Sequence, residues 1–129
     1  MNQHAHETYL RMQVNTAAPW ELTTLLFNGC IKFMKQGLEG INTRNVAMKN
    51  ENIKKATDII NELSYTLNKQ YEVAHRLASL YDYMLHRLFT ANIKMDAESL
   101  QECIGLMTEL KDTWVQSMKQ LPAAAKVRS

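Results

Sequence analysis

Any chemistry in this chain has to start from its histidines, cysteines and carboxylates. Glu72-Val-Ala-His75 is a Glu-x-x-His spacing, the kind that places a carboxylate and an imidazole on one helix face as ligands of a carboxylate-bridged di-iron site. Such a site needs a second pair and two further inward glutamates. The sequence has no second copy, and its apolar rows contain no acidic residue. His4 and His6 stand in a polar terminal stretch and read as solvated, and His86, beside Arg87, reads as surface polar. Cys30 and Cys103 both fall at core positions of helices, which points to buried thiols rather than a disulfide or a metal pair. There is no P-loop, no G-x-G-x-x-G, no G-x-S-x-G, and no Cys paired with His at a nucleophile position. The expectation is a protein without catalytic residues, metal or cofactor.

The elements that would position any other kind of site are helical. The chain has 129 residues, enough for one domain with a real core, and only four Gly and two Pro. Between Pro19 and Pro122 it runs without the strongest helix breaker. Fifteen basic residues against 13 acidic give a net charge of +2, with the basic residues scattered, so binding to nucleic acid through phosphates is disfavoured. No apolar run approaches the roughly 18 residues of a membrane span, and the start MNQHAHE has no apolar stretch to follow it. No membrane insertion and a cytosolic location are expected.

Periodicity predicts four helices. The first starts at Pro19, where a proline at the first helical position loses no needed hydrogen bond, and runs to about Ile41 with Leu22, Leu25, Leu26, Gly29, Cys30, Phe33 and Gly37 inward. The second, about 46–68, carries Ile53, Ala56, Ile60, Leu63 and Leu67 at the 3–4 spacing of a bundle seam. The third, about 72–92, turns Val73, Leu77, Leu80, Met84, Leu88 and Ala91 inward. Asp96 caps the fourth, whose row is Leu100, Cys103, Met107, Leu110, Trp114, Met118 and Leu121. Short connections join antiparallel neighbours, so the fold class is all-α: an antiparallel up-down four-helix bundle over residues 19–121. A flexible N-terminal capping segment, 1–18, precedes it and a disordered tail, 122–129, follows.

Two helices are apolar on more than one side. Trp20, Phe27, Ile31, Met34 and Leu38 lie close together on helix 1, away from the assigned core row, and Tyr81, Leu85 and Phe89 form a row at i, i+4, i+8 on helix 3. A closed bundle is expected to leave these at its surface or flanks, and a contiguous apolar patch marks a partner surface.

The same residues resemble the FliS family of flagellin-specific secretion chaperones. Tyr9, Val14, Thr16, Ala17 and Pro19 are similar to the family's entry motif, and LLFNGCI at 25–31 to its Leu-Leu/Tyr-x-Gly-Ala-Ile stretch. Lys55-Ala56-x-x-Ile59-Ile60-x-Glu62-Leu63 resembles its second helix. LYDYM with Arg87, Leu88, Ala91, Asn92 and Asp96 resembles the third, and Glu109-Leu110 with Trp114-x-Gln116 the last. The connection after helix 2 departs from the pattern: Gln70 and Tyr71 stand where glycines are common, which leaves a left-handed cap to Asn68 or to nothing.

The resemblance implies a cytosolic chaperone that binds the disordered C-terminal segment of flagellin, prevents premature polymerisation and delivers it to a flagellar export gate component. It assigns the partner-binding role to the second rows. The apolar residues of HETYLRMQV, at high effective concentration beside the patch, are expected to dock through Tyr9 and Val14 over part of the same groove before the client arrives, a role the resemblance also suggests for Tyr9. The alternative is a structural bundle protein that homodimerises through the outer rows of helices 1 and 3.

Overall fold

Asn45 and Asp96 determine where two of the helices begin. In the computed structural model, which describes residues 19–120, the Asn45 carboxamide oxygen accepts from the Met48 amide at 3.1 Å. The Asp96 carboxylate accepts from the amides of Glu98 (3.1 Å) and Ser99 (3.4 Å), and from the Ser99 hydroxyl at 2.7 Å. Both supply acceptors to first-turn N–H groups that have no partner within the helix. Each cap follows a left-handed residue, Arg44 (φ 54°) or Met95 (φ 53°), which ends the preceding helix. The Asn45 amide returns to the Gly40 carbonyl at 2.8 Å and the Asp96 amide to the Ala91 carbonyl at 3.1 Å, so one polar residue closes one helix and opens the next.

The four helices are α1 (Pro19–Asn42), α2 (Val46–Tyr65), α3 (Glu72–Lys94) and α4 (Ala97–Lys119), with no strand among the described residues. Each packs on two neighbours: α1 and α3 both lie against α2 and α4, giving the square section of an up-down antiparallel bundle. The expected capping segment, with Tyr9 and Val14, the last inward residue expected on the fourth helix, Leu121, and the tail 122–129 lie outside the described residues. The α2–α3 connection is the loose one. Thr66 ends α2 in a right-handed conformation, Asn68 accepts from the Gln70 amide at 3.1 Å, and no left-handed cap forms there.

Helix α1 approaches α2 through glycine. A Cβ added at Gly40 would lie 2.6 Å from the Lys49 amide nitrogen and 2.9 Å from its Cα, so only hydrogen fits between the two backbones. At Gly37 the same atom would come 3.1 Å from Ile53. The core is centred on Cys30, Met34, Ala56, Ile60, Met84, Leu88, Leu100, Cys103 and Met107. Ile53, Ala56, Ile60 and Leu63 on α2 and Leu100, Cys103 and Met107 on α4 are buried as read, whereas α2 stops at Tyr65 rather than 68 and leaves Leu67 half-buried in the connection.

Three corrections concern the faces of α1 and α3. Phe27, Met34 and Tyr81, placed by sequence in outer rows, are buried in the core. Leu22 and Leu25, placed inward, are only half-buried, and Val73 is exposed. On α1 the inward face is turned toward Phe27, Met34 and Ile41 because the glycine side must meet α2 while the opposite flank meets α4. Trp114 of α4 makes that second contact. Its indole N–H donates to the Trp20 carbonyl (3.2 Å) and the Thr24 hydroxyl (3.0 Å), and its ring meets Phe27 edge-on at 6.3 Å.

Candidate functional site

An i, i+4 row does not stay on one face of a straight helix. Each step of four residues turns about 400°, so the row drifts about 40° per step. Along α3 this carries the row from core to solvent: Tyr81 is 2% exposed, Leu85 is half-buried, and Phe89 is 61% exposed. Ile93, the next step, is 62% exposed. The strip ends beside the start of α2, where the Lys49 ammonium donates to the Asn92 carbonyl at 2.6 Å. Val46, exposed at the first residue of α2, stands at the same end of the bundle. The result is an apolar strip that emerges from half-buried Leu85 to exposed Phe89 and Ile93 and runs toward the α2 start.

The row expected on α1 is not brought into that strip. Ile31 and Leu38 are half-buried and packed against the core, and Trp20 is half-buried beside Trp114. With Phe27 and Met34 inside, the α1 residues form a wide core face rather than a second exposed row. Ile93 and Val46 were missed by sequence reading. Ile93 continues the spacing of Tyr81, Leu85 and Phe89 beyond the helix end expected at about Asn92, and α3 runs to Lys94.

The opposite flank of α3 is polar. The Tyr83 hydroxyl and the Arg87 guanidinium both donate to one Glu102 carboxylate oxygen, each at 2.7 Å, joining α3 to α4. These donors, the phenol first, hold the Glu102 carboxyl below its ordinary range. The Asp96 carboxyl is likewise lowered, chiefly by the Ser99 hydroxyl. Polar joining on one flank and an apolar strip on the other give α3 two distinct sides.

None of the candidate chemistry converges on this strip. Glu72 pairs with Arg76 at 3.4 Å, His75 and His86 are exposed, and no group of three metal-ligating side chains occurs among the described residues. Cys30 and Cys103 are free, fully buried thiols turned toward the carbonyls of Ala56 (3.7 Å) and Met84 (3.6 Å). Burial pushes both thiols upward, Cys103 to about 12, leaving them protonated and unreactive. No described helix is long and apolar enough to cross a membrane. What the geometry can do is bind apolar side chains.

Comparison with known proteins agrees in fold and size. A family profile described as "Flagellar protein FliS" matches residues 1–121. The chain is similar to the flagellar secretion chaperone FliS of Bacillus subtilis (strain 168), 42% identical over 117 residues that cover 91% of this chain and 88% of the relative. It is also similar to the protein of that name from Salmonella typhimurium (strain LT2), 34% identical over 80% of this chain and 78% of the relative. A solved structure titled "Crystal structure of flagellar chaperone from bacteria" superposes with a TM-score of 0.74 at 20% identity, covering 92% of this chain and 98% of the other.

Proposed function

The chain belongs to the FliS family of flagellar secretion chaperones, a family of chaperones and not of enzymes, and from that membership we propose that it binds the C-terminal segment of flagellin in the cytosol. In this reading it prevents premature polymerisation and hands the client to a flagellar export gate component. The observation that carries it is the apolar strip that runs from half-buried Leu85 to solvent-exposed Phe89 and Ile93 on the bundle of an export chaperone. An amphipathic client helix recognises such a strip by laying its own i, i+4 anchors along it. The exposed edges of Trp20, Ile31 and Leu38 on the α1 flank are a secondary contact in this proposal, with Phe27 and Met34 of α1 and Tyr81 of α3 buried in the core behind the two rows.

Tyr9 and Val14 enter the proposal as a competing segment, limited by reach. Val14 lies five residues before Pro19, at most about 17 Å of extended chain. Phe89 lies seventeen residues along α3 from the end where α1 starts, a helical rise of about 25 Å. The five residues from Val14 fall short of that rise, and the ten from Tyr9, at most about 35 Å when extended, exceed it.

The test is calorimetric titration of the full chain with a flagellin C-terminal peptide. Binding with a negative heat-capacity change and weak salt dependence is expected of an apolar contact. Phe89→Asp and Ile93→Asp should each weaken it at least about tenfold, because an apolar anchor is lost and a charge is desolvated. Absence of peptide binding by the unaltered chain overturns the function. Binding that both variants leave unchanged moves the site elsewhere. A tight dimer buried on the same strip would favour the homodimer instead.

A further inference from the structure

The two ends of the bundle are built differently. At one end the α1–α2 and α3–α4 links each finish with a left-handed residue and an Asx cap, Gly40 touches the Lys49 backbone, and the Lys49 ammonium caps the last turn of α3. At the other end the α2–α3 connection is exposed from Lys69 to Val73, and Tyr71, the N-cap residue of α3, makes no side-chain hydrogen bond to the helix. Of residues 72–80 only Ala74 is buried, whereas Tyr81, Met84, Leu88 and Ala91 are all buried in the rest of α3. The ion pair of this first part, Glu72–Arg76, is solvent-exposed on both sides and holds little.

Leu77 and Leu80 lie half-buried against the core, but a helical stretch with one buried side chain, no side-chain cap and an exposed connection is held more weakly than the rest of α3. We infer that residues 72–80 of α3 are a lid that unwinds independently of the bundle, with Tyr81 as the fixed end. Opening uncovers the end of the core between α2, which carries Leu63, and α4, which carries Met118. It leaves the opposite, tightly tied end intact. Resting on the chaperone reading above, the lid gives an apolar client segment access to core side chains without global unfolding.

Hydrogen exchange of the free, full chain tests the lid without any client. Amides of residues 74–80 should exchange at least roughly a hundredfold faster than those of 84–91, with a dependence on denaturant weaker than that of global unfolding. Tyr71 has the extended conformation of a cap (φ −99°, ψ 138°). Tyr71→Asp should therefore supply the missing acceptor and slow the 74–80 amides about fivefold, leaving 84–91 unchanged. Equal protection and equal denaturant dependence of the two stretches would overturn the lid. So would a Tyr71→Asp effect spread evenly over both.

Discussion

The Lys49 ammonium lies 2.6 Å from the carbonyl oxygen of Asn92, and Lys49 is only 6% exposed. A lysine buried to this degree needs a partner, and the Asn92 carbonyl, in the last turn of α3, needs a donor. Each meets the other's requirement, and the helix C-terminus favours the cation. Lys49→Ala removes a charged hydrogen bond and leaves the carbonyl unmet, a cost of about 1.5–3 kcal/mol. Urea unfolding should show this as a lowered midpoint at constant slope. Asn92→Ala should cost far less, because the backbone carbonyl stays and the Asn92 Oδ1, buried without a hydrogen-bond partner, disappears.

Two glycines in helix interiors should respond oppositely to alanine. At Gly40 the added Cβ meets backbone that cannot step aside, so Gly40→Ala should destabilise by about 1–3 kcal/mol in spite of its better helix propensity. At Gly105 nothing lies within 4 Å, and Gly105→Ala should stabilise by about 0.5–1 kcal/mol. Thermal melts of the two variants decide the matter by the sign of the shift.

Arg44 is exposed and left-handed, a conformation that costs a side-chain-bearing residue about 1–2 kcal/mol. Arg44→Gly relieves this strain while adding some freedom to the unfolded chain, so a gain of up to about 1 kcal/mol is expected. An unchanged or lowered melting temperature would show that the arginine side chain stabilises the link in another way.

Along the α3 row, stability and binding should separate. Tyr81→Ala empties a core position and should cost about 3–5 kcal/mol. Phe89→Ala, at a site 61% exposed, should change stability by less than about 0.5 kcal/mol. In the proposed function it is Phe89→Ala that weakens flagellin-peptide binding at full stability. Equal destabilisation by both substitutions would place Phe89 in the core.

Alkaline pH should unfold the bundle through its buried acids. Burial, with a smaller contribution from the Cys30 thiol, pushes the Tyr81 phenol from 10.0 to about 12. Burial first, then the Glu102 carboxylate, pushes the Cys103 thiol from 9.0 to about 12, and Cys30 rises further. All three folded values lie above the unfolded ones, so the stability they contribute is complete below about pH 9 and is lost as pH climbs toward 12. The loss approaches about 1.4 kcal/mol per pH unit for each group while the unfolded chain is ionised and the folded one is not. Melting temperatures should be level to pH 8 and fall steeply above pH 9, and maleimide labelling of both thiols should require unfolding.

The sequence by itself determined what is local or periodic. The absence of proline between Pro19 and Pro122, the 3–4 spacing of Ile53, Ala56, Ile60 and Leu63, and the cap at Asp96 specify helices, their antiparallel order and most of the core, because hydrogen bonding within a helix and burial of one stripe need no knowledge of the partner. Asn45 carries the same local signal as Asp96, a capping acceptor just before the first turn of a helix. Which flank of a wide apolar helix is inside depends on how the helices pack. On α1, close approach at Gly37 and Gly40 turns one side to α2, and Trp114 claims the other, so Phe27 and Met34 go into the core. On α3 the 40° drift of an i, i+4 row makes Tyr81 core and Phe89 surface within one evenly spaced series, and where the crossing falls depends on the positions of α2 and α4, which the spacing of α3's own residues does not contain.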